Sequence, residues 1–261
     1  MDGDTVLLAQ DGPVLTVTIN RPRRKNAIDG QTWLALQKAL EHAATEDSVR
    51  AVVLTGEGGD FCAGADLSTD RGSQHPLHRM HGINDVALAL YELPKPVVAK
   101  VRGVAVGAGW NLALGCDLVV SSPDARFSQI FSKRGLSLDF GGSWLLPRIV
   151  GMQQAKRLAL LGEIIGAKEA LELGLVTWIK EDHELDEFVA DVAGRLAQGP
   201  PIAMAQSKDM LHAGAHQSFR EALENEARAQ VVNFATADGP AAREAFVNKV
   251  EAVFTGEWMV R

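Results

Sequence analysis

Two segments rich in glycine and alanine constrain this chain of 261 residues more than any other part of its sequence. They are Phe61–Leu67 (FCAGADL) and Gly103–Leu118 (GVAVGAGWNLALGCDL). Each lies where a strand pattern gives way to a helix pattern, and small residues allow a ligand to approach the main chain closely. Because the first N–H groups of a helix lack intrahelical partners, two such segments, brought together, would present backbone donors to one oxyanion.

The periodicity of apolar residues predicts an α/β fold. Strand and helix patterns alternate as far as about Gly142, and this order favours parallel strands joined by right-handed crossovers. Beyond Gly142 the pattern is mainly helical, and Gly199-Pro-Pro is the best candidate boundary. We therefore expect an α/β core over residues 1–198 and a helical C-terminal region over residues 199–261. The predicted strands are Val14–Asn20, Ala51–Leu54, Val97–Val101, Leu118–Ser121 and Leu175–Ile179. Asp29 is the expected cap of the first helix, and the last predicted helix is Ala241–Phe254.

Composition restricts the partners and the compartment of the protein. The net charge of −7 argues against a general affinity for nucleic acids or anionic membranes. The most apolar stretch, Pro96–Val120, contains charged residues and is too polar to cross a bilayer. Cys62 and Cys116, the two cysteines, do not make a disulfide framework. Since the acidic N-terminus also lacks the pattern of a signal peptide, we expect a cytoplasmic location.

Three further motifs accompany the two small-residue segments: RPRRKNA at 21–27, KPV at 95–97 and GGSWLLPRIVG at 141–151. In this order and spacing, the five motifs resemble the crotonase (enoyl-CoA hydratase/isomerase) superfamily over nearly the whole chain. The resemblance implies a crotonase-like spiral of ββα units with C-terminal helices that form a homotrimer, often paired into a hexamer. It also implies an acyl-CoA thioester as substrate, with coenzyme A entering as part of that substrate and no metal or redox cofactor.

The resemblance assigns an oxyanion hole and a coenzyme A site. The oxyanion donors would be the backbone N–H groups of Ala63 and Ala108. The residues assigned to the coenzyme are Ala63, Gly64, Ala65, Asp66 and Leu67 in the first segment, Ala108 in the second, Arg23, Arg24 and Lys25 in a basic turn, and Phe246 and Lys249 on the last long helix, which would reach a neighbouring subunit's coenzyme. The alternative for the basic turn is an exposed run of solvated charges. The alternative for Phe246 and Lys249 is one buried aromatic residue and one exposed lysine on an ordinary amphipathic helix.

This sequence departs from the hydratases of the family at two positions. Hydratases use two glutamates to activate water, and Asn111 and Phe131 stand in their places here. Asparagine is not a base near neutral pH, and phenylalanine has no proton to transfer, so both are assigned to substrate binding instead. Hydration by two carboxylates is therefore not expected.

A third carboxylate, Asp139 in Leu138-Asp-Phe-Gly-Gly142, is the candidate base. The string from Phe131 to Arg148 resembles the branch of the family that isomerises ring-epoxidised phenylacetyl-CoA in aerobic phenylacetate breakdown, and that branch carries an aspartate here. A carboxylate among apolar neighbours would have a raised pKa, because burial disfavours its charged form. A pKa closer to neutral suits a base that transfers protons near neutral pH. The alternative is a helix cap, a common role for aspartate before a helix.

The resemblance implies an acyl-CoA isomerase that moves a double bond or rearranges an epoxide through a thioester enolate, and several other functions stay open beside it. The first is a hydratase, or a broad hydratase/isomerase, of fatty-acid breakdown, and the second is an acyl-CoA binder without activity. RNA binding, known in one branch of the family, is disfavoured because the early helix Gln31–Thr45 carries Lys38 as its single lysine or arginine. Three spaced histidines, His75, His78 and His81, lie in a candidate lid over Ser68–Gly82 and lack the pattern of a metal site.

Overall fold

A six-stranded sheet forms the centre of the fold. The structure is a computed structural model that describes residues 4–68 and 75–259. The strands of the described residues are β1 (Val6–Asp11), β2 (Val14–Ile19), β3 (Ala51–Gly56), β4 (Val97–Val101), β5 (Val104–Val106), β6 (Leu118–Ser121), β7 (Arg126–Ser128), β8 (Ile165–Gly166) and β9 (Trp178–Ile179). The strand order in the six-stranded sheet is β1-β2-β3-β4-β6-β9, with β1 antiparallel to β2 and all other neighbours parallel.

Helices cover the sheet and make up most of the chain after residue 142. Two short 3-10 helices, Pro22–Arg24 and Ile130–Arg134, accompany the α-helices. None of the helices in the described ranges combines the length and apolar character needed to cross a membrane. The α-helices are α1 (Gly30–Thr45), α2 (Pro76–Tyr91), α3 (Ala108–Leu114), α4 (Gly142–Leu161), α5 (Ala167–Glu172), α6 (Asp182–Gln198), α7 (Pro201–Gly214), α8 (Phe219–Phe234) and α9 (Asp238–Asn248).

The sheet buries both faces, which explains the continuous apolar runs of its parallel strands. Successive side chains of a strand point to opposite faces, so the residues of β3 and β4 divide between two clusters. Val52 and Leu54 join the main core with α1 and α2. Val53 and Val98 join a smaller cluster under α6, where Val189 is almost fully buried.

The smaller sheet, β5-β7-β8, brings the two small-residue segments together. Cys62 forms an isolated parallel bridge with Ala105 of β5. The Cys62 N–H donates to the Val104 carbonyl, and the Val106 N–H donates to the Cys62 carbonyl, each at 2.9 Å. Gly109 of α3 then lies directly on this contact, because a Cβ at Gly109 would be 2.4 Å from the Cys62 carbonyl oxygen. The predicted convergence of the segments is thus confirmed.

Strong patterns predicted their elements well, whereas the six-residue β1 and the strands of two or three residues, β5, β7 and β8, were missed. β4 and β6 have the predicted bounds, and Asp29 caps α1 by accepting from the Thr32 N–H at 2.9 Å, as expected. The strand predicted over Leu175–Ile179 shrinks to Trp178–Ile179. The last predicted helix, Ala241–Phe254, ends instead at Asn248, since Lys249 adopts a left-handed conformation. The proposed boundary at Gly199 stays a prediction.

The contact at Gly109 leads to a stability prediction. Gly109→Ala should lower the free energy of unfolding by about 1–3 kcal/mol, because the buried backbone of Cys62 cannot move away from the new methyl group. Gly194→Ala is the matched control: Gly194 lies within α6 with open space around its Cβ position, so alanine there should stabilise by about 0.5–1 kcal/mol. Urea unfolding measures both, and equal effects would contradict the prediction.

Candidate active site

Two backbone N–H groups are left free where the small-residue segments meet. The position that a Cβ on Gly64 would take is 3.6 Å from the Ala108 nitrogen, so the two loops are adjacent. Ala108 is the first residue of α3, and its N–H has no intrahelical acceptor. Within the described residues, neither the Ala65 N–H nor the Ala108 N–H donates to a protein acceptor. These two amides are suited to donate hydrogen bonds to one oxyanion.

The structure corrects the predicted donor in the first segment. The Ala63 N–H donates to the Lys25 carbonyl at 2.9 Å, so that hydrogen is already committed within the protein. Gly64 and Asp66 are tied to Ile28 by hydrogen bonds of 2.8 Å, which leaves Ala65 between them with an unused donor. The sequence motif located the segment. Which of its N–H groups is free depends on the backbone around Lys25 and Ile28, which lies elsewhere in the sequence.

Arg21, which the sequence analysis gave no role beyond its place in the motif at 21–27, holds this segment in place. Its guanidinium lies 2.9 Å from the Asp66 carboxylate and 2.9 Å from Asp29, and it also donates to the Ala27 carbonyl. The hydrogen bond from Ser68 and the Arg21 charge lower the pKa of Asp66. Asp66 therefore fastens the segment through its ionised side chain, a structural role beside its predicted place in the coenzyme site.

Asp139 lies next to α3, and one of its carboxylate oxygens lacks a hydrogen bond from the described residues. Its carbonyl accepts from the Asn111 amide and from the Gly142 N–H, both at 2.9 Å. Its Oδ1 is enclosed and has no hydrogen-bond partner in the described ranges. Burial raises the pKa of Asp139 to about 6, as expected from the sequence, although the expected neighbour Leu136 is largely exposed.

The helix-cap alternative for Asp139 is wrong. The N-cap of α4 is Gly141, and no side chain accepts a hydrogen bond there. Within the described ranges, the Oδ1 of Asp139 therefore has no structural partner that would account for it. An enclosed carboxylate with a raised pKa and a free oxygen is the chemistry of a general base.

Asn111 lies within the second segment and Phe131 beside it; Asn111 differs from its predicted role, and the assignment of Phe131 to substrate binding stays a prediction. Asn111 is completely buried, and both of its amide atoms form hydrogen bonds inside the protein, with Asp139 and Gln129. The predicted contact of its side chain with substrate is thus corrected. Phe131 is buried beneath the second segment, with its ring 3.6 Å from the position that a Cβ on Gly107 would take.

The basic turn is exposed and adjoins the first segment. Lys25 pairs with Asp60 at 3.7 Å, and its carbonyl accepts the Ala63 N–H already described. Arg23 and Arg24 are exposed and form no ion pair with any described residue. This is the arrangement that an anionic ligand would meet on approaching the two free amides, and the assignment to the coenzyme phosphates stays a prediction.

The C-terminal helices expose large apolar side chains. Phe246 is 84% exposed, so the alternative of a buried aromatic residue in an ordinary amphipathic helix is wrong. Lys249 ends α9 and is also exposed. Helix α7 has no buried residue. Other apolar side chains that are more than half exposed in this region are Leu211, Phe219, Val231, Phe234, Val247, Val250, Val253 and Trp258.

A cavity of about 760 Å³ lies beside the site, between α2, α4 and α7. Phe140 and Gly141, the two residues after Asp139, form part of its wall. Tyr91 stacks on His212 with 3.9 Å between ring centroids and meets Trp144 edge-on at 5.3 Å. The wall of this cavity is mainly apolar and aromatic. Residues 69–74 of the candidate lid lie outside the described residues, and His75 caps α2 by accepting from the Leu77 N–H.

Comparisons with known proteins cover almost the whole chain. Residues 9–257 match the family model for enoyl-CoA hydratase/isomerase. A 1,2-epoxyphenylacetyl-CoA isomerase of Escherichia coli is 35% identical, over 94% of this chain and 95% of that protein. A short-chain-enoyl-CoA hydratase of Clostridium acetobutylicum is 36% identical, over 95% of this chain and 97% of that protein.

Solved structures give the same result for the fold. A crystal structure of an enoyl-CoA hydratase from Bacillus anthracis superposes with a TM-score of 0.92 at 30% identity, covering 97% of this chain and all of that chain. The relatives include hydratases and isomerases at similar identity, so they identify the family and leave the reaction open. The chain belongs to the enoyl-CoA hydratase/isomerase family and has its crotonase-like fold.

Proposed function

We propose that this protein is an acyl-CoA isomerase that uses Asp139 as its base. The observation that carries the proposal is the enclosed Asp139 carboxylate, whose Oδ1 has no partner among the described residues, in a loop hydrogen-bonded to α3, the helix that begins with the unused Ala108 donor. Asn111 and Phe131 offer no carboxylate at the two positions where hydratases activate water. One carboxylate suffices to move a proton between two carbon atoms, whereas the hydration mechanism of the family uses two.

The reaction would proceed through a thioester enolate. The ionised Asp139 takes a proton from a carbon of the acyl group, and the electron pair of the broken C–H bond moves into the thioester carbonyl. The Ala65 and Ala108 N–H groups bind the resulting oxyanion, and one such donor typically lowers the barrier by about 3–4 kcal/mol. The neutral Asp139 then returns the proton to another carbon, so the double bond shifts and the base is regenerated.

The exposed basic turn would bind the anionic coenzyme portion. Arg23 and Arg24 have no carboxylate partner among the described residues, and they adjoin the segment that carries Ala65. The mainly apolar cavity beyond Phe140 has room for an acyl group, and its aromatic wall suits a ring or a long chain. The chemistry calls for no metal or redox cofactor.

The exposed apolar face of the C-terminal helices supports assembly into a homotrimer or a hexamer. The large exposed aromatic and aliphatic side chains on α8 and α9, such as Phe219, Phe234 and Phe246, are typical of a surface that another copy covers. Phe246 and Lys249 would then reach a neighbouring subunit's coenzyme. The cytoplasmic location stays a prediction.

A hydratase is the second candidate, because the relatives include hydratases with equal similarity. We expect hydration of crotonyl-CoA to be at least ~10²-fold slower than isomerisation of trans-3-hexenoyl-CoA, since the second general acid–base group is missing. Measuring kcat for both compounds decides between the candidates. Faster hydration than isomerisation would contradict the isomerase.

Replacing the base is the direct test of the proposed function. Asp139→Asn should lower kcat for trans-3-hexenoyl-CoA at least ~10²-fold, because asparagine cannot take up the proton. Asp191→Asn is a suitable control, since Asp191 is an exposed residue of α6 and is not part of the proposed machinery. Unchanged turnover in Asp139→Asn would refute the assignment. Binding without any exchange of substrate protons for deuterium in the unmodified protein would indicate an inactive acyl-CoA binder.

The raised pKa of Asp139 predicts the pH dependence of activity. The base must be ionised, and its pKa is about 6. We expect kcat/KM to rise with pH through an apparent pKa near this value and to level off above pH 7. A profile whose acidic limb lies near pH 4 would show that Asp139 titrates like an ordinary aspartate and does not govern the reaction.

The same carboxylate should lower stability near neutral pH. The folded-state pKa of about 6 lies above the ordinary 3.8, so the unfolded chain releases this proton first and stability falls as pH rises through this window. Asp139→Asn should therefore exceed the wild type in free energy of unfolding by roughly 2–3 kcal/mol above pH 7, and match it near pH 3.

Asp186→Asn provides a control of opposite sign for this experiment. Hydrogen bonds from Arg102 and Lys100 lower the pKa of Asp186 to about 2. The stability from that pairing is present above pH 4 and is lost as pH falls through about 2. Urea unfolding at several pH values should show this variant below the wild type at neutral pH. A pH-independent difference for Asp139→Asn would contradict the prediction.

A further inference from the structure

Two buried amide side chains, Asn111 and Gln129, form a chain of hydrogen bonds that ends at the backbone carbonyl of Asp139. Both residues are completely buried. The Asn111 Nδ2 donates to the Asp139 carbonyl at 2.9 Å, and the Gln129 Nε2 donates to the Asn111 Oδ1 at 2.7 Å. This chain of hydrogen bonds runs from β7 and the following turn, through α3, to the residue that carries the proposed base.

Asp139 and Gln129 together orient the Asn111 amide. An asparagine amide can be turned by half a rotation, which exchanges its donor and its acceptor. The Asp139 carbonyl can only accept, so the Asn111 Nδ2 faces it, and the Gln129 Nε2 donates to the Asn111 Oδ1 and holds the side chain in that orientation. Asn111 is the third residue after Ala108 on α3, so the same helix turn carries an oxyanion donor and the support of the base.

The loop after Asp139 needs this support because its backbone is unusual. Phe140 has a φ of +47°, a left-handed conformation that a residue with a side chain rarely adopts. Its ring stacks on Trp33 at 5.3 Å, which fixes the loop from the other side. Gly142 leaves the space that Asn111 fills, because a Cβ there would be 2.4 Å from the Asn111 Nδ2.

Stability alone does not account for Gln129. Its Oε1 is buried and accepts no hydrogen bond from the described part of the chain, which is unfavourable for folding. A purely apolar side chain of similar volume would avoid this penalty. What the glutamine adds is the donor that orients Asn111.

We propose that Asn111 is a positioning residue for Asp139, and that Gln129 fixes Asn111 in the orientation this task requires. The position that carries a catalytic glutamate in hydratases has become the anchor of a base on a different loop. The inference rests on the proposed function, since positioning has meaning only if Asp139 transfers the proton.

The test compares kcat and KM of variants with trans-3-hexenoyl-CoA as the substrate. Asn111→Ala should lower kcat by about 10–100-fold and leave KM within about threefold, because the base is misplaced while the coenzyme contacts remain. Gln129→Met should lower kcat at least ~5-fold with a midpoint of urea unfolding equal to or above that of the wild type. A merely structural role would lower stability and leave kcat of the folded protein unchanged.

Thr55→Val is the matched control for loss of a buried hydrogen bond. The Thr55 hydroxyl donates to the Lys100 carbonyl at 3.0 Å within the main sheet, away from Asp139. This variant should lose stability and keep kcat. If Asn111→Ala does not fold, Gln129→Met decides the question by itself.

The outcomes separate the two proposals. If Asp139→Asn abolishes turnover while Asn111→Ala and Gln129→Met keep kcat within twofold of the wild type, the positioning role is wrong and the proposed function stands. If Asp139→Asn keeps full turnover, the proposed function is wrong, and the positioning role falls with it.

Discussion

The backbone contact between Cys62 and β5 is the constraint on which the rest of the site depends. Two hydrogen bonds of 2.9 Å hold Cys62 between Val104 and Val106, and α3 begins two residues after Val106. This contact fixes the separation of the loops that carry Ala65 and Ala108. A side chain at Gly109 would force them apart. The small residues of both segments are therefore required by the approach of one backbone to another, before any ligand is considered.

Arg21 extends this arrangement to the basic turn. Its guanidinium joins Asp66 in the first segment to Asp29 at the start of α1, and all three side chains are mostly shielded from solvent. Breaking such a partly buried group of charges by removing one member leaves the others without compensation. The residues proposed to bind coenzyme phosphates and the residue proposed to bind the oxyanion thus belong to one connected unit.

The sequence predicted the features that arise from local pattern or from a long motif. The bounds of β4 and β6 and the cap at Asp29 follow from periodicity and side-chain chemistry within a few residues. The meeting of the two segments followed from their shared composition.

The features that were missed depend on distant parts of the chain. Whether Ala63 or Ala65 has a free N–H is decided by the carbonyl of Lys25, almost forty residues earlier. The role of Asp139 was ambiguous in sequence because a cap and a base share the same position before a helix, and only the geometry at Gly141 separates them. Strands of two or three residues, such as β8, have too few side chains to produce a periodic signal.

The buried position of Asn111 limits how this scaffold can change its chemistry. A glutamate at residue 111 would restore one group of the water-activating pair, but it would bring a negative charge into a fully enclosed space and remove the donor to the Asp139 carbonyl. A change toward hydration would therefore remove a contact on which the proposed isomerase depends. Under this proposal the two reactions compete for a single side chain, so a passage from one to the other would have to reshape the loop around Phe140 at the same time.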